Sequence, residues 1–234
     1  MAAPPPDAPP AEALSLSLEP RRLQAVLLYI LVALVALGLL VEINEYILHA
    51  GWLDPLTPAL SLSYEQNLPT WYAASLLLLC AALLAVSARA DPTWRRSWAL
   101  LAVGFLYISM DEVVGVHEYA SELFDTHGLL FFGWVIPAAV VVTVIGLAYL
   151  RFLGSLPAQT RRRFVVAGVI YVTGALALEL PLGAWTERHG NDNLTYALID
   201  LLEESLELLG ATLFVGALLE HLRARVGSIA LRIT

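Results

Sequence analysis

Long apolar segments constrain this chain more than any other feature of its sequence. A helix needs about 20 apolar residues to cross the hydrocarbon core of a bilayer, and six such segments follow one another along the 234 residues. The composition agrees, since 59% of the residues are apolar and 15% are charged, whereas soluble domains have roughly half and a quarter. The sequence therefore predicts an all-α polytopic membrane bundle and excludes a separate soluble catalytic domain.

Short segments rich in Pro, Gly and Asp separate the predicted transmembrane helices. The six helices are predicted at 23–48, 70–88, 97–116, 129–150, 164–184 and 198–219. Residues 1–20 are rich in Pro and Ala and predict a disordered cytoplasmic tail. Residues 21–222 then form a single transmembrane domain, and residues 223–234 form a short basic cytoplasmic tail.

Arginine predicts the orientation of the bundle. All 13 basic residues are arginine, and in this six-helix arrangement only Arg188 falls on the side opposite to the others. By the positive-inside rule both termini are expected in the cytoplasm. The run 161–163 is interpreted as a topology determinant, so no nucleic-acid partner is expected. A chain with arginine and no lysine is typical of a GC-rich bacterial genome, which predicts the bacterial inner membrane as its location.

The sixth predicted helix carries four carboxylates on one face. Asp200, Glu203, Glu204 and Glu207 are spaced i, i+3, i+4 and i+7, which places them on an arc of about 100 degrees. A carboxylate in the hydrocarbon core costs at least about 2.5 kcal/mol, so these groups need a partner. Small residues from Gly210 onward permit close helix packing, and this helix is predicted to be central.

Two other helices repeat this pattern. Glu42, Glu45 and His49 share one face of the first helix and are predicted to line the entrance to the site. Asp111 and Glu118, at i and i+7, are predicted to share a face of the third helix.

Acids on three different helices are predicted to lie at the same depth in the membrane. At about 1.5 Å per residue from the nearest arginines, Asp111, Glu179 and Glu207 all lie roughly 22 to 24 Å into a core about 30 Å thick. Glu112 and His117 are predicted to point elsewhere on the third helix, so they need not join the same site.

No arginine or lysine lies within the outer half of any predicted helix, which leaves protons, metal ions or water as the partners of these acids. The predicted metal ligands are Asp111, Glu179, Glu203, Glu207 and His117. The catalytic candidates are Glu204 and Glu118. The residues predicted to line the entrance or to support the ligands are Glu42, Glu45, His49, Glu112 and Asp200. Carboxylates combined with imidazole favour iron, zinc or manganese.

Some residues near the outer surface are predicted to lie outside the site. Asp54, Glu65 and Asp192 are interpreted as solvated loop charges, and Trp134 is interpreted as part of an interfacial aromatic belt. Two familiar metal motifs are also missing from the sequence. No Glu-x-x-His lies within a predicted helix, as a ferritin-like diiron centre would require, and no His-Glu-x-x-His zinc protease motif occurs.

The segments SMDEVVGVHE (109–118) and DNLTYALIDLLEESLELLG (192–210) resemble segments of uncharacterised bacterial multispan membrane proteins. That resemblance implies a multispan fold and no known activity. The composition also resembles that of membrane hydrolases that assemble zinc from histidines and an aspartate. Their paired His-x-x-x-His is absent here, so no residue roles follow from the second resemblance.

The sequence thus favours a metal-dependent membrane hydrolase or oxidase that acts on a lipidic substrate. Membrane lipid is the expected surrounding partner. A cation or proton-coupled transporter or channel is the first alternative, and a structural subunit of a membrane complex is the second. The oligomeric state stays open.

Overall fold

The computed structural model describes residues 19–121 and 123–227, and every regular element in those ranges is helical. The predicted all-α class is therefore confirmed for this part of the chain. The predicted N-terminal tail lies outside the described residues except for positions 19 and 20. The predicted C-terminal tail lies outside them beyond residue 227.

Ten α-helices are present in the described residues. They are α1 (Pro20–Ile43), α2 (Thr57–Leu60), α3 (Leu68–Ala90), α4 (Arg95–Val114), α5 (Val116–Ser121), α6 (Val135–Ala148), α7 (Leu150–Ser155), α8 (Ala158–Val172), α9 (Glu179–His189) and α10 (Leu194–Val226). A π-helical segment, Asn44–Leu48, extends α1, and a second, Thr173–Leu178, joins α8 to α9. Short 3-10 turns lie at Asp54–Leu56 and Gly128–Leu130.

Five helical stretches of the described residues are long and apolar enough to span a membrane. They are Pro20–Leu48, Leu68–Ala90, Arg95–Val114, Ala158–His189 and Leu194–Val226. The prediction of six is met only in part, because the predicted fourth helix is divided. Its first piece, α6, has 14 residues, and Tyr149 interrupts the helix with φ −90° and ψ −2° before α7 begins.

The divided segment nevertheless runs the length of the bundle. Trp134, just before α6, lies next to residues that follow α4, with its ring centroid 4.9 Å from that of His117. At the other end of the bundle, the Tyr149 hydroxyl donates to the carbonyl of Ser97, near the start of α4, at 2.8 Å. Six helical passes therefore cross the bundle, and the interruption at Tyr149 explains why only five meet the length expected of a single span.

The start of α1 and the end of α10 lie at the same end of the bundle. Pro20, Arg21 and Arg223 line one pocket there, and the Arg225 guanidinium donates to the carbonyl of Ala90 at the end of α3. We call this end the arginine end. The opposite end, where α4 finishes and α10 begins, is called the acidic end.

Helix α10 is the central element, as predicted, because it packs against α1, α3, α8 and α9. Its half nearer the arginine end is apolar and tightly packed. Leu84, Trp98, Val215 and Leu218 are all 0% exposed there. Burial of each large apolar side chain contributes about 1.5–3 kcal/mol relative to exposure in water, although lipid exposure lowers this contribution in a membrane.

Two glycines allow α10 to approach the α8–α9 segment closely. A Cβ atom on Gly174 would lie 2.8 Å from the carbonyl oxygen of Glu203, and one on Gly210 would lie 2.7 Å from the backbone nitrogen of Tyr171. Small residues at such crossings let two helix backbones touch. This crossing brings the acids of α10 against the segment that carries Glu179.

Candidate functional site

The end of α4 determines the geometry of the acidic end. Helix α4 stops at Val114, and Gly115 adopts a left-handed conformation with φ 66°, which glycine tolerates because it has no Cβ. Helix α5 then starts in a new direction. The prediction that Asp111 and Glu118 share one face of a continuous helix was therefore wrong, because the i, i+7 rule requires an unbroken helix between them.

The turn at Gly115 brings His117 back onto Asp111. The backbone N–H of His117 donates to Asp111 Oδ1 at 3.1 Å, and His117 Nδ1 lies 2.9 Å from Asp111 Oδ2. An ionised carboxylate only accepts hydrogen bonds, so a neutral His117 ring that pairs with it donates from Nδ1 and leaves the lone pair of Nε2 available to a metal. This is how a histidine is oriented by a carboxylate when it binds a metal. The prediction that His117 need not join the site of Asp111 is corrected accordingly.

Three potential ligands meet beside this pair. Glu65, His117 and Glu118 each place one ligand atom within 4.8 Å of the other two, and we call these residues the outer group. Glu65 lies on the loop before α3 and is solvent-exposed, as expected of a loop acid, but its carboxyl group faces that of Glu118. Partial burial, reinforced by Glu118, raises the pKa of Glu65 to about 7.

A second set of acids lies next to the outer group and more deeply in the bundle. Glu179, Asp200 and Glu203 interact electrostatically with one another, and we call them the inner acids. The Trp134 indole N–H donates to Glu179 Oε1 at 3.0 Å. Glu179 Oε2 and Glu203 Oε2 are buried and have no hydrogen-bond partner among the described residues.

The remaining acids of the site surround one tyrosine. Glu207 lies beside the hydroxyl of Tyr171 and close to Glu112. Glu204 lies near Glu207 and Glu112. The structure thus brings the carboxylates of α10 together with carboxylates of α4 and α9.

The first helix does not present one continuous acidic face. Glu42 is 2% exposed and accepts a hydrogen bond from the Ser61 hydroxyl, so it lies behind the surface and does not line an entrance. Helix α1 changes to π-helix at Asn44, and His49 follows in a left-handed conformation with φ 51°. The face predicted for Glu42, Glu45 and His49 is broken there, because a π-helical turn has a wider hydrogen-bonding repeat.

Glu65 and Trp134 were not predicted to belong to the site. Glu65 follows no helical periodicity, and its position depends on how the loop folds over the end of α4. Trp134 looks like an interfacial tryptophan in the sequence, yet its ring packs against His117 and its N–H binds Glu179. Nothing in the residue spacing identifies either contact.

No arginine forms an ion pair with an acid of the site in the described residues. The ion pairs that arginine makes within the described residues involve Glu19, Glu220 and Asp91, and none of these belongs to the outer group or the inner acids. Within the described residues, the site therefore concentrates carboxylates without an arginine paired to any of them. Protons or cations are the groups that stabilise such an arrangement.

Comparison with known protein families identifies a family for this chain. Residues 20–222 match the model of a family described as Domain of unknown function (DUF8692). No curated protein and no solved structure matches the chain. The matched range includes the outer group, the inner acids and all six helical passes.

Proposed function

This chain belongs to the DUF8692 family of unknown function, and we propose that it is an integral membrane protein that binds a divalent metal ion at its outer group. The observation that carries the proposal is the meeting of Glu65, His117 and Glu118 within 4.8 Å. The two carboxylates and the imidazole come from two separate segments, the loop before α3 and helix α5. Asp111 supports the proposal because its carboxylate pairs with His117 Nδ1 and so fixes the orientation of the imidazole ring.

The ligand types favour iron, zinc or manganese. Imidazole suits these transition metals, and carboxylates suit harder cations including manganese. Three protein ligands leave coordination positions free, which is the arrangement of catalytic metal sites. The metal would supply Lewis-acid catalysis. Glu118 would hold the metal, and Glu204 is the candidate to hold or move a proton because it lies among the neighbouring carboxylates.

Exposed apolar side chains beside the outer group support a lipidic substrate. Tyr119 of α5 is 67% exposed, and the segment that links α5 to α6 carries further side chains between 39% and 81% exposed, namely Leu123, Phe124, Leu129 and Leu130. Exposed apolar side chains of this kind are typical of a contact with membrane or with an apolar ligand. We propose that a membrane-soluble substrate reaches the metal across these side chains.

The buried acids would also suit a transporter. The packing of the bundle near the arginine end favours an enzyme instead. A transporter needs a polar route through the bundle. In the described structure Leu84, Trp98 and Val215 fill that path with fully buried side chains. The acids therefore open toward one end of the bundle.

The proposed orientation places the arginine end in the cytoplasm. The start of α1 and the end of α10 share that end, and the positive-inside rule assigns arginine-rich loops to the cytoplasm. The acidic end would then face the periplasm of a bacterial inner membrane.

Elemental analysis tests the proposal. We would purify the protein in detergent without chelator and measure iron, zinc and manganese in the wild type and in a His117→Ala, Glu65→Gln variant. We expect about one transition-metal ion per chain in the wild type and at least a tenfold loss in the variant. Glu187→Gln is the matched control, because Glu187 is also at the acidic end but pairs with His127.

Retention of the metal in the double variant would show that the outer group is not the site. A wild-type protein that contains no metal and binds none on titration would exclude the proposal altogether.

A further inference from the structure

The inner acids contain two carboxylate oxygens that nothing in the described structure satisfies. Glu179 is 9% exposed and Glu203 is 6% exposed, and the Oε2 atom of each lacks a hydrogen-bond partner among the described residues. Buried polar atoms are almost always paired, and an exception calls for an explanation such as a bound ion. Both oxygens belong to one cluster, because Glu203 interacts electrostatically with Glu179, Asp200 and Glu207.

The other oxygen of Glu179 is held in place. The Trp134 N–H donates to Oε1 at 3.0 Å, and the Trp134 ring lies against His117 of the outer group. The Glu179 side chain is therefore fixed from one side, with its second oxygen left free. An oriented carboxylate with a free oxygen is the usual form of a metal ligand whose other contacts are already made.

The elements around the inner acids add negative and neutral groups. Helix α10 contributes Glu204 and Glu207, and the loop before α3 contributes Ser63, which lies beside Asp200. Tyr196 of α10 also lies near Asp200 and Glu179. A buried charge without a partner is strongly destabilising, so several unpaired carboxylates in one place need neutralisation.

We propose that Glu179, Asp200 and Glu203 form a second cation site, adjacent to the outer group and selective for a hard divalent ion. All of its ligands are oxygen atoms, which suits Mg²⁺ or Mn²⁺ better than zinc. The inference goes beyond the proposed function, because it requires neither the outer metal nor an activity. Only the outer group brings three ligand atoms within 4.8 Å in the described residues, so the inner cation would draw its ligands together on binding.

Manganese titration followed by electron paramagnetic resonance tests the second site, since free Mn²⁺ gives a sharp signal and bound Mn²⁺ does not. We expect about two Mn²⁺ ions per wild-type chain. Glu203→Gln and, separately, Glu179→Gln should each remove one ion and leave the other. His117→Ala should remove the outer ion and keep the inner one, and Glu187→Gln should keep both.

The inner and outer sites are distinguished by competition. Excess Mg²⁺ should release at least tenfold more Mn²⁺ from His117→Ala, which keeps the inner site, than from Glu203→Gln, which keeps the outer site. Elution as a single detergent-solubilised species, with the helical circular dichroism of the wild type, establishes that each variant is folded.

Two results would overturn the second site. One is a single Mn²⁺ per wild-type chain that His117→Ala abolishes and Glu203→Gln leaves unchanged, which would assign protons to the inner acids. The other is a wild-type protein that binds no Mn²⁺. If instead His117→Ala and Glu65→Gln have no effect while Glu203→Gln removes the only ion, the outer site fails and the inner site stands.

Discussion

Asp111 illustrates how one side chain organises its neighbours. Both of its carboxylate oxygens are used by His117, one by the backbone N–H and one by the ring. Because the ring is fixed and Nε2 is left free, the outer group offers an oriented imidazole without any contact between Asp111 and the metal. Asp111 is predicted from the sequence as a direct metal ligand, whereas in the structure both of its carboxylate oxygens contact His117.

We predict that Asp111→Ala weakens metal binding at the outer group by about 10- to 100-fold, as is typical when a carboxylate that supports a ligating histidine is removed. Isothermal titration of the chelator-treated protein with Zn²⁺ measures the change. Asp125→Ala is the control, because Asp125 is an exposed aspartate near another histidine, with 3.6 Å between Asp125 Oδ1 and His127 Nε2. Equal affinity in wild type and Asp111→Ala would exclude this supporting role.

Glu65 gives the outer group a pH dependence. Its pKa is raised from 4.5 to about 7 by partial burial and by Glu118, so in the metal-free protein the folded state favours the protonated carboxyl group. The stabilising contribution of that proton is present below about pH 4.5 and is lost as the pH rises through about 7. A metal ligand must be deprotonated, so metal affinity changes in the opposite direction.

We therefore predict that the melting temperature of the chelated protein falls as the pH rises through about 7, while the affinity for metal rises. Glu65→Gln should flatten the first of these trends, and Glu187→Gln should leave it as in the wild type. Thermal melts in detergent with chelator, and metal titrations at the same pH values, measure both. If the melting temperatures of the wild type and of Glu65→Gln have the same pH dependence, Glu65 is not the group responsible for it.

Most residues of the site are positioned by points at which a helix ends or changes its hydrogen-bonding pattern. The left-handed Gly115 ends α4 and redirects α5, and π-helical turns at Asn44–Leu48 and Thr173–Leu178 shift the residues that follow them. The second π-helical segment leads directly into Glu179. Such segments occur frequently at functional sites, because they change the direction of side chains within a continuous helix.

We predict that Gly174→Ala destabilises the bundle by about 1–3 kcal/mol, as overpacking does. The new Cβ would lie 2.8 Å from the Glu203 carbonyl and 2.9 Å from Glu207 Cγ, so α10 would have to move away. Thermal unfolding in detergent measures the loss, and binding of Mn²⁺ to the inner acids should weaken with it.

Gly168→Ala on the same helical segment is the matched control. Nothing lies within 4 Å of its Cβ position, and alanine raises helix stability by about 1 kcal/mol over glycine. If both substitutions shift the melting temperature equally, the close approach at Gly174 does not hold the helices together.

The whole molecule divides into an acidic half that carries the site and an apolar half that closes it. At the arginine end, Arg225 lies 2.9 Å from the Asp91 carboxylate, and the Trp98 indole N–H donates to the same carboxylate at 3.2 Å. Asp91 follows α3, Trp98 belongs to α4 and Arg225 belongs to α10. One carboxylate thus joins three helices across the end of the bundle.

We predict that Arg225→Ala destabilises the protein by about 1–3 kcal/mol, less than for a fully buried pair because the arginine is partly exposed. The loss leaves Asp91, whose side chain is 3% exposed, without its cation. Arg223→Ala, one exposed arginine earlier on α10, should change the melting temperature little. Adding Asp91→Asn to Arg225→Ala should recover part of the loss, and its failure to do so would contradict the role of the buried charge.

We also predict that the start of α1 and the end of α10 face the same side of the membrane. Cysteine reporters Glu19→Cys and Ala224→Cys should resist a membrane-impermeant maleimide added to intact cells, whereas Asp125→Cys should react. The single native cysteine, Cys80, is 0% exposed in the bundle and should contribute little background. Labelling of Ala224→Cys alone would indicate five crossings in place of six.

Periodicity was sufficient to predict the all-helical class of fold. Alternation of apolar runs with breakers gave the helices, and the spacing of Asp200, Glu203, Glu204 and Glu207 gave one face of α10. These features are local, since they depend on the 3.6-residue repeat of a single helix. They fail where the helix is interrupted, as at Tyr149, Gly115 and the π-helical turn after Ile43.

Residue spacing and charge predicted that this chain forms apolar helices, that all its arginines except Arg188 lie at one end, and that most of its carboxylates lie at the other. Which acids lie next to one another is known only from the packing of the helices and loops. That packing placed the loop residue Glu65 against Glu118, turned His117 onto Asp111, and set Trp134 between the outer group and Glu179. Contacts between different segments depend on where helices end and how closely they cross. Residue spacing within one helix predicts neither of these.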